Sequence, residues 1–463
     1  MQKLIAKYGL AAHLALLAVA PLFLFPFADA ADISVVLLWL SLIAAVWMAM
    51  VPSVLRGEHL QSARKRMLTS VLRDPLTWIL LVVVVIAGVR AVNTGISLAY
   101  DAEKAAWHVS SAIFPILPGS VGSDGVFPFV ALLSASIILL GSRHALGRSA
   151  RHAFLLLATS LAGLAAVVLH LAVSKAVPGA LPFVDFQVGR YSFIGFVFGV
   201  YFLAGVVALF AVVENAWNFF FLLPILAIGG NAAACFSFAP VYLTLAVTVA
   251  ALVMVGYMLF YASRVLQTSG KIMLFFIGTT AVVMGFFLVM LALPEKFLAV
   301  RVAPYRELSV FQDSFWDIRR VVSAMAFKSW ISHLWTGTGI GSFPLDFRFG
   351  ATEENWALLP RGVVSVPNGW WQLLAERGIV GGVMFLLPIG FLFVSYVRRL
   401  VGAVRDWALP HPACLLTPVL LILVGAAGFV DCSQIRPESL MIGGAILSIS
   451  ALSFPRKRVE NNG

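Results

Sequence analysis

Twelve apolar runs of about 17 to 25 residues, each long enough to cross a bilayer as one helix, succeed one another along this chain. They fall at 8–27, 32–52, 76–92, 126–141, 153–173, 190–213, 217–235, 239–262, 272–293, 377–397, 413–431 and 439–454. Only the seventh is interrupted, by the small and polar residues of GGNAAACFSF. Hydrophobic residues make up 61% of the 463 and charged ones 11%, where soluble domains have roughly half and a quarter. So much apolar surface cannot be enclosed in a core of its own. The sequence therefore predicts an all-α polytopic membrane protein, a single integral membrane domain over 1–463. About twelve transmembrane helices are expected, with a large loop between the ninth and tenth.

In a soluble domain the formal net charge of +11 would suggest a nucleic-acid partner. Here the basic residues cluster in short loops, where they set topology, and no nucleic acid is expected. One set of alternate loops carries them: Lys3 and Lys7, then Arg56, Arg64, Lys65, Arg66 and Arg73, then Arg143, Arg148 and Arg151. The series goes on with Arg264 and Lys271, then Arg398, Arg399 and Arg405, and ends at Arg456, Lys457 and Arg458. The intervening short loops hold only Lys104, Lys175 and Arg436. The alternation predicts that both termini are cytoplasmic. Lys3, Lys7, the first apolar run and ADA at 28–30 could also be read as a cleaved signal peptide. The run is long for that and contains Pro21 and Pro26, so a retained first helix is expected. The three cysteines, Cys235, Cys414 and Cys432, lie in or beside apolar segments without CxxC spacing, so neither a disulfide framework nor a metal site is expected.

The same alternation places the longest loop, 294–376, on the extracytoplasmic side. A second outer loop, 93–125, carries LPGSVGSDG and reads as a lid or packing element. In the long loop, WTGTGIGSF holds Gly337, Gly339 and Gly341. These glycines follow no strand, no GxxxxGK exists, and cytoplasmic nucleotides are on the other side, so no cofactor is expected. They let the backbone turn tightly and come close to a ligand. The segment before them, FQDSFWDIRRVVSAMAFKSWISHLW, has helical periodicity with Phe315, Ile318, Val322, Met325 and Leu334 on an apolar side. Its tryptophans suit a membrane interface. Two readings of Arg319 and Arg320 stand side by side. They face lipid headgroups, or they hold a lipid-linked phosphate through the bidentate fit of guanidinium to phosphate.

DIRR, then SHLWTGTGIGSF, then PNGWWQLLAERGIVGG together resemble the O-antigen ligase and O-antigen polymerase superfamily. That family shows an arginine, a glycine turn ending in Phe some eighteen residues on, and H-N-x-(Y/W)-L-Q-x-x-x-E-x-G-x-x-G opening the next helix. Arg319 stands eighteen residues before Gly337, and Asn368, Trp370, Gln372, Glu376, Gly378 and Gly381 fill the later pattern. FVDFQVGRYSFIGF resembles an earlier family stretch and puts Arg190 on its arginine. The resemblance covers 180–400, and the family's main loop also lies between helices nine and ten. Two positions depart from it. The family's histidine-asparagine pair reads Pro367-Asn368, and its S-R-G arginine reads Ser237-Phe238-Ala239.

The resemblance implies transfer of a glycan from an undecaprenyl-diphosphate-linked oligosaccharide, at the outer face of a bacterial inner membrane. The acceptor would be a glycan, lipid A core or another hydroxyl. It implies neither metal nor cofactor, and besides the glycans only membrane lipids as partners. Cations must stabilise the charge that develops on the diphosphate, and Arg319, Arg320, Arg190 and Arg361 are the candidates. A base must take the acceptor proton. With the family histidine replaced, His333 and Glu376 are the candidates, an imidazole titrating near pH 6.5 when unperturbed. His333 can equally be part of a turn, and Glu376 a first-turn carboxylate on the tenth helix. Trp370 and Trp371 suit sugar stacking or an interfacial aromatic belt. Two other functions fit a chain like this: a degenerate member that binds lipid-linked glycan without turnover, and a twelve-helix transporter. Against a transporter, no two halves are similar and the spans are poor in ionisable residues.

Overall fold

The computed structural model describes residues 2–24, 30–56, 60–93, 97–101, 106–110, 118–121, 125–146, 149–176, 190–214, 222–238, 241–266, 313–343, 368–430 and 457–458. They are mostly helical, and six helices are long and apolar enough to cross a membrane. Four shorter apolar helices accompany them. The expected spans 272–293 and 439–454 lie outside the described residues, as does most of 294–376.

In chain order the helices are α1 (Gln2–Leu24), α2 (Ala30–Arg56), α3 (Leu60–Leu72), α4 (Pro75–Val92), α5 (Val126–Leu140) and α6 (Ser149–Ala176). Then follow α7 (Arg190–Glu214), α8 (Leu222–Phe238), α9 (Val241–Tyr261), α10 (Asp313–Ser332), α11 (Gly369–Arg405) and α12 (Leu416–Val430). A π-turn, Gly141–Ala145, prolongs α5. Between α4 and α5, β1 (Ser97–Asp101) pairs antiparallel with β2 (Ala106–Ser110), with Ala99 opposite His108. The seventh apolar run is one helix in spite of its interruption. Within α8, Asn231 turns its amide onto the Ala227 carbonyl of its own helix (2.8 Å) and onto the Ser160 carbonyl of α6 (2.9 Å). Its polarity thus joins helices where no water can.

That bond belongs to a longer polar thread. Ser160 donates to the carbonyl of Tyr201 on α7 (3.0 Å), and the Tyr201 hydroxyl donates to that of Ala18 on α1 (3.2 Å). Around it α1, α6, α7 and α8 pack through small residues, among them Ala11, Ala15, Ala204 and Ala208, all buried. Close approach of backbones and interhelical hydrogen bonds are what hold helices together in lipid. The outward side is the reverse of a soluble protein's: on α2, Val35, Trp39, Leu42 and Val46 are exposed. α4 packs on α5, and α10 and α12 pack on α11.

α11 begins at Gly369, before the expected start of its span at 377. Asn368 accounts for the earlier start. Its side chain caps the helix, accepting from the amides of Trp370 (3.0 Å) and Trp371 (3.3 Å). Its 37 residues make about 55 Å of helix. A bilayer with headgroups is about 40–45 Å thick, so α11 is longer than one crossing requires.

Candidate functional site

α11 is not continuous. At Gly378 the backbone takes φ 64° and ψ −168°, a region open essentially to glycine alone. Such a break opens three rungs of the helical ladder: Ala375 carbonyl to Ile379 amide, Glu376 carbonyl to Val380 amide, and Arg377 carbonyl to Gly381 amide. The four groups of the first two rungs find partners in the segment of the three glycines. The Thr338 amide donates to Ala375 O (2.9 Å) and the Gly339 amide to Glu376 O (2.8 Å). The amides of Ile379 and Val380 donate to the carbonyls of Leu334 and Trp335, both at 3.0 Å. The glycine segment thus replaces the missing turn.

Two glycines make this contact possible. A Cβ on Gly337, itself at φ 68°, would collide with the backbone of Glu376 and Arg377. A Cβ on Gly378 would collide with that of Trp335 and Thr336. Gly339 and Gly341 also have positive φ. Within the turn the hydroxyls of Thr338 and Ser342 lie 2.6 Å apart, and both residues are buried. The other side of the turn is held by the second outer loop. Ile340 donates to Gly119 O (2.9 Å), Val121 to Ile340 O (2.9 Å), and Ser120 to the carbonyl of Asn93, the C-cap of α4 (3.0 Å). The segment 118–121 is therefore a packing element.

Arg90, in the last turn of α4, fixes the joint. Its guanidinium donates through one nitrogen, Nη2, to Thr336 O (3.1 Å) and Arg377 O (3.2 Å), one carbonyl from each side of the joint. It is 2% exposed. Sequence reasoning passed over Arg90, though a signal was there: an arginine inside the run LLVVVVIAGVRAV is an ionisable residue in a span.

Glu376 lies two residues before the break and is 6% exposed. Its Oε1 accepts from Gln372 Nε2 at 3.1 Å, one helical turn back. Gln372 Oε1 is enclosed and has no hydrogen-bond partner among the described residues. The tryptophans are committed to protein. Trp370 donates from Nε1 to Gly425 O on α12 (3.2 Å) and meets the Phe385 ring beyond the break (6.1 Å). Trp371 packs against Phe327 and Trp330 of α10, with ring centres 5.2 and 5.8 Å away. α10 turns Val322 and Ala326 inward, while Arg320 is exposed.

His333 follows the end of α10 and is exposed. Ser332 gives its hydroxyl proton to Ser329 O (2.7 Å) and lies 3.0 Å from His333 Nδ1. With that proton committed, Nδ1–H donates to Ser332 and Nε2 is left as the acceptor. The structure thus brings Gly337, Gly339, Gly341, Gln372, Glu376 and Gly378 into one joint. His333 lies within the same chain turn, and Arg320 on the surface of α10. Arg319 is on α10 and Arg190 opens α7, while Arg361 and Pro367 lie outside the described residues. Comparison of the chain with protein-family models and with curated proteins finds no match.

Proposed function

We infer that the protein transfers a glycan from an undecaprenyl-diphosphate donor to a hydroxyl acceptor, at the outer face of a bacterial inner membrane. It does so as a twelve-span protein with both termini in the cytoplasm. One observation carries the reading. The glycine turn and the PNGWWQLLAERG helix, which bear the sequence resemblance, are joined backbone to backbone at Gly378. Their pairing gives each motif a physical reason to accompany the other.

In the reaction the acceptor oxygen bonds to the anomeric carbon of the donor sugar. The bond from that carbon to the diphosphate oxygen breaks, and the diphosphate leaves with the electron pair. Arg319 and Arg320 stabilise its growing charge from α10, with Arg190 and Arg361 as further cations. The acceptor proton passes to His333 through Nε2. Glu376, held by Gln372 beside the glycine turn, orients the acceptor. A helix break also occurs in secondary carriers, where its open backbone groups hold ions. Here the carbonyls at 375–377 and the amides of Ile379 and Val380 are already hydrogen-bonded, which favours transfer over transport.

A deletion strain tests this, with surface glycan and lipid-linked intermediates resolved on a gel. Single capped repeats identify a polymerase, and long chains stranded on the lipid carrier identify a ligase. Arg319→Lys keeps the charge but loses the planar fork and fails to complement. Arg320→Lys, about 100° away around the helix, complements. Unchanged surface glycan in the deletion strain, with no lipid-linked intermediate, overturns the reading.

A further inference from the structure

The opposite end of α4 holds a second site. Asp74, at its N-cap, and Arg90 mark the two ends, about 24 Å apart at 1.5 Å per residue. Beside Asp74 lies an open cavity of about 740 Å³. Lys65, Arg66 and Arg73 enter it from α3 and the corner after it, and Arg143 and His144 from the π-turn after α5.

Among the described residues Asp74 is the sole acid lining the cavity, and its carboxylate is engaged on both oxygens. Oδ1 accepts from the Leu76 amide (3.2 Å), and Oδ2 meets Arg143 Nε and His144 Nε2. His144 Nδ1 is in turn 2.9 Å from Ser70 Oγ. The acid therefore fixes the π-turn wall and offsets one arginine, and the lining as a whole keeps an excess of positive charge.

The α3 wall is built by helical spacing. Ser62, Lys65, Arg66, Thr69 and Arg73 recur at three and four residues and share one face. Beside that face Leu68 and Leu72 are exposed, and so is Trp78 on α4, whose Nε1–H donates to Leu72 O (3.0 Å). The cavity thus has a cationic, hydroxyl-bearing wall, and next to that wall, outside the cavity lining, α3 and α4 expose an apolar strip that we call its lip. Basic residues that only set topology need be nothing more than charges in a loop. They need neither a cavity nor a fixed opposite wall.

We propose that this cavity binds the phosphate of an anionic lipid headgroup, with Lys65 and Arg73 on its oxygens. The apolar lip, formed by Leu68, Leu72 and Trp78, takes the acyl chains, and it is what favours a lipid over a free phosphate. Basic pockets between transmembrane helices on the cytoplasmic side hold anionic headgroups by this chemistry. The site stands on its own geometry and not on the reaction at the other end of α4.

The test uses the full-length protein in neutral detergent, titrated with phosphatidylglycerol, phosphatidylcholine or free glycerol 3-phosphate. Retained lipid is counted by native mass spectrometry, and the unfolding midpoint is followed. Phosphatidylglycerol is expected to stay bound and raise the midpoint, and phosphatidylcholine is not. Lys65→Gln with Arg73→Gln is expected to weaken phosphatidylglycerol binding about thirtyfold, and Arg73→Gln alone about fivefold. Both side chains are exposed, so the lipid-free midpoint should hold. Equal retention by wild type and the single variant overturns the proposal. So does equal retention of phosphatidylcholine. Glycerol 3-phosphate displacing the lipid at equal concentration identifies a free phosphate site and overturns the lipid assignment.

Discussion

A guanidinium inside an apolar helix is tolerated only where its hydrogens meet acceptors. Arg90 meets two carbonyls, Thr336 O and Arg377 O, and these come from chain segments that no helix joins. Removing the side chain does more than delete a charge, because it leaves both carbonyls without that donor. Hydrogen bonds to a charged group contribute about 1.5–3 kcal/mol each. Arg90→Met fills much of the same volume, so the cavity term is small and the lost bonds dominate. The variant is expected to unfold with about 3 kcal/mol less stability, read as a lowered midpoint in detergent. A midpoint equal to wild type would mean that the two carbonyls do not depend on Arg90. The consequence reaches the candidate site, since Arg377 directly follows Glu376.

The unit above the residue is the broken helix with its glycine turn. Two of the three opened rungs, 375 to 379 and 376 to 380, are replaced on both sides, so the break leaves no orphan among those four groups. This arrangement needs glycine at two places for two reasons: Gly378 for its backbone angles, and Gly337 for the approach of two backbones. Gly378→Ala is expected to cost about 1–3 kcal/mol in strain alone, with the collision at Trp335 added to it. Gly390, further along α11, is the control. A Cβ there meets nothing within 4 Å, so Gly390→Ala is expected to raise stability by up to about 1 kcal/mol. If both substitutions lower the midpoint equally, the joint is not the cause. The glycines and the PNGWWQLLAERG pattern were legible in the sequence, because composition and spacing are local. Their union was not, because backbone pairing between 334–339 and 375–380 leaves no mark on residue type beyond glycine itself. Arg90 was legible by rule and was passed over. α3 stood in the sequence as a basic loop, because thirteen mostly polar residues carry too weak a periodic signal. Glu376 was expected in the first turn of its helix and is instead its eighth residue, just past the second turn, because Asn368 caps α11 earlier than hydropathy alone suggests.

For the described part of the molecule, the apolar runs marked the long apolar helices, and the loop charges gave an expectation of which ends belong together. The contacts between loops give a separate reading of the second point. Asp74 meets Arg143, and Glu214 meets His411 at 2.7 Å. The strand Ala408–Leu409 pairs with Lys457–Arg458. The charge alternation assigns all of these to one side. Gly119 and Ile340, which also meet, it assigns to the other. Contacts join ends without saying which side each end faces, so the side needs its own measurement. Lys328 on α10 is exposed, and so are Arg73 and Arg398 at the other end. In a background without Cys235, Cys414 and Cys432, a single cysteine is placed at one of these three positions. An impermeant thiol reagent applied to spheroplasts is expected to label the cysteine of Lys328→Cys. It should reach those of Arg73→Cys and Arg398→Cys only after the membrane is opened. The reverse pattern would put the glycine joint in the cytoplasm, where a lipid-diphosphate donor at the outer face could not reach it, and the transfer reaction would fall with the topology. Labelling at all three positions in intact spheroplasts would break the pairing of ends itself.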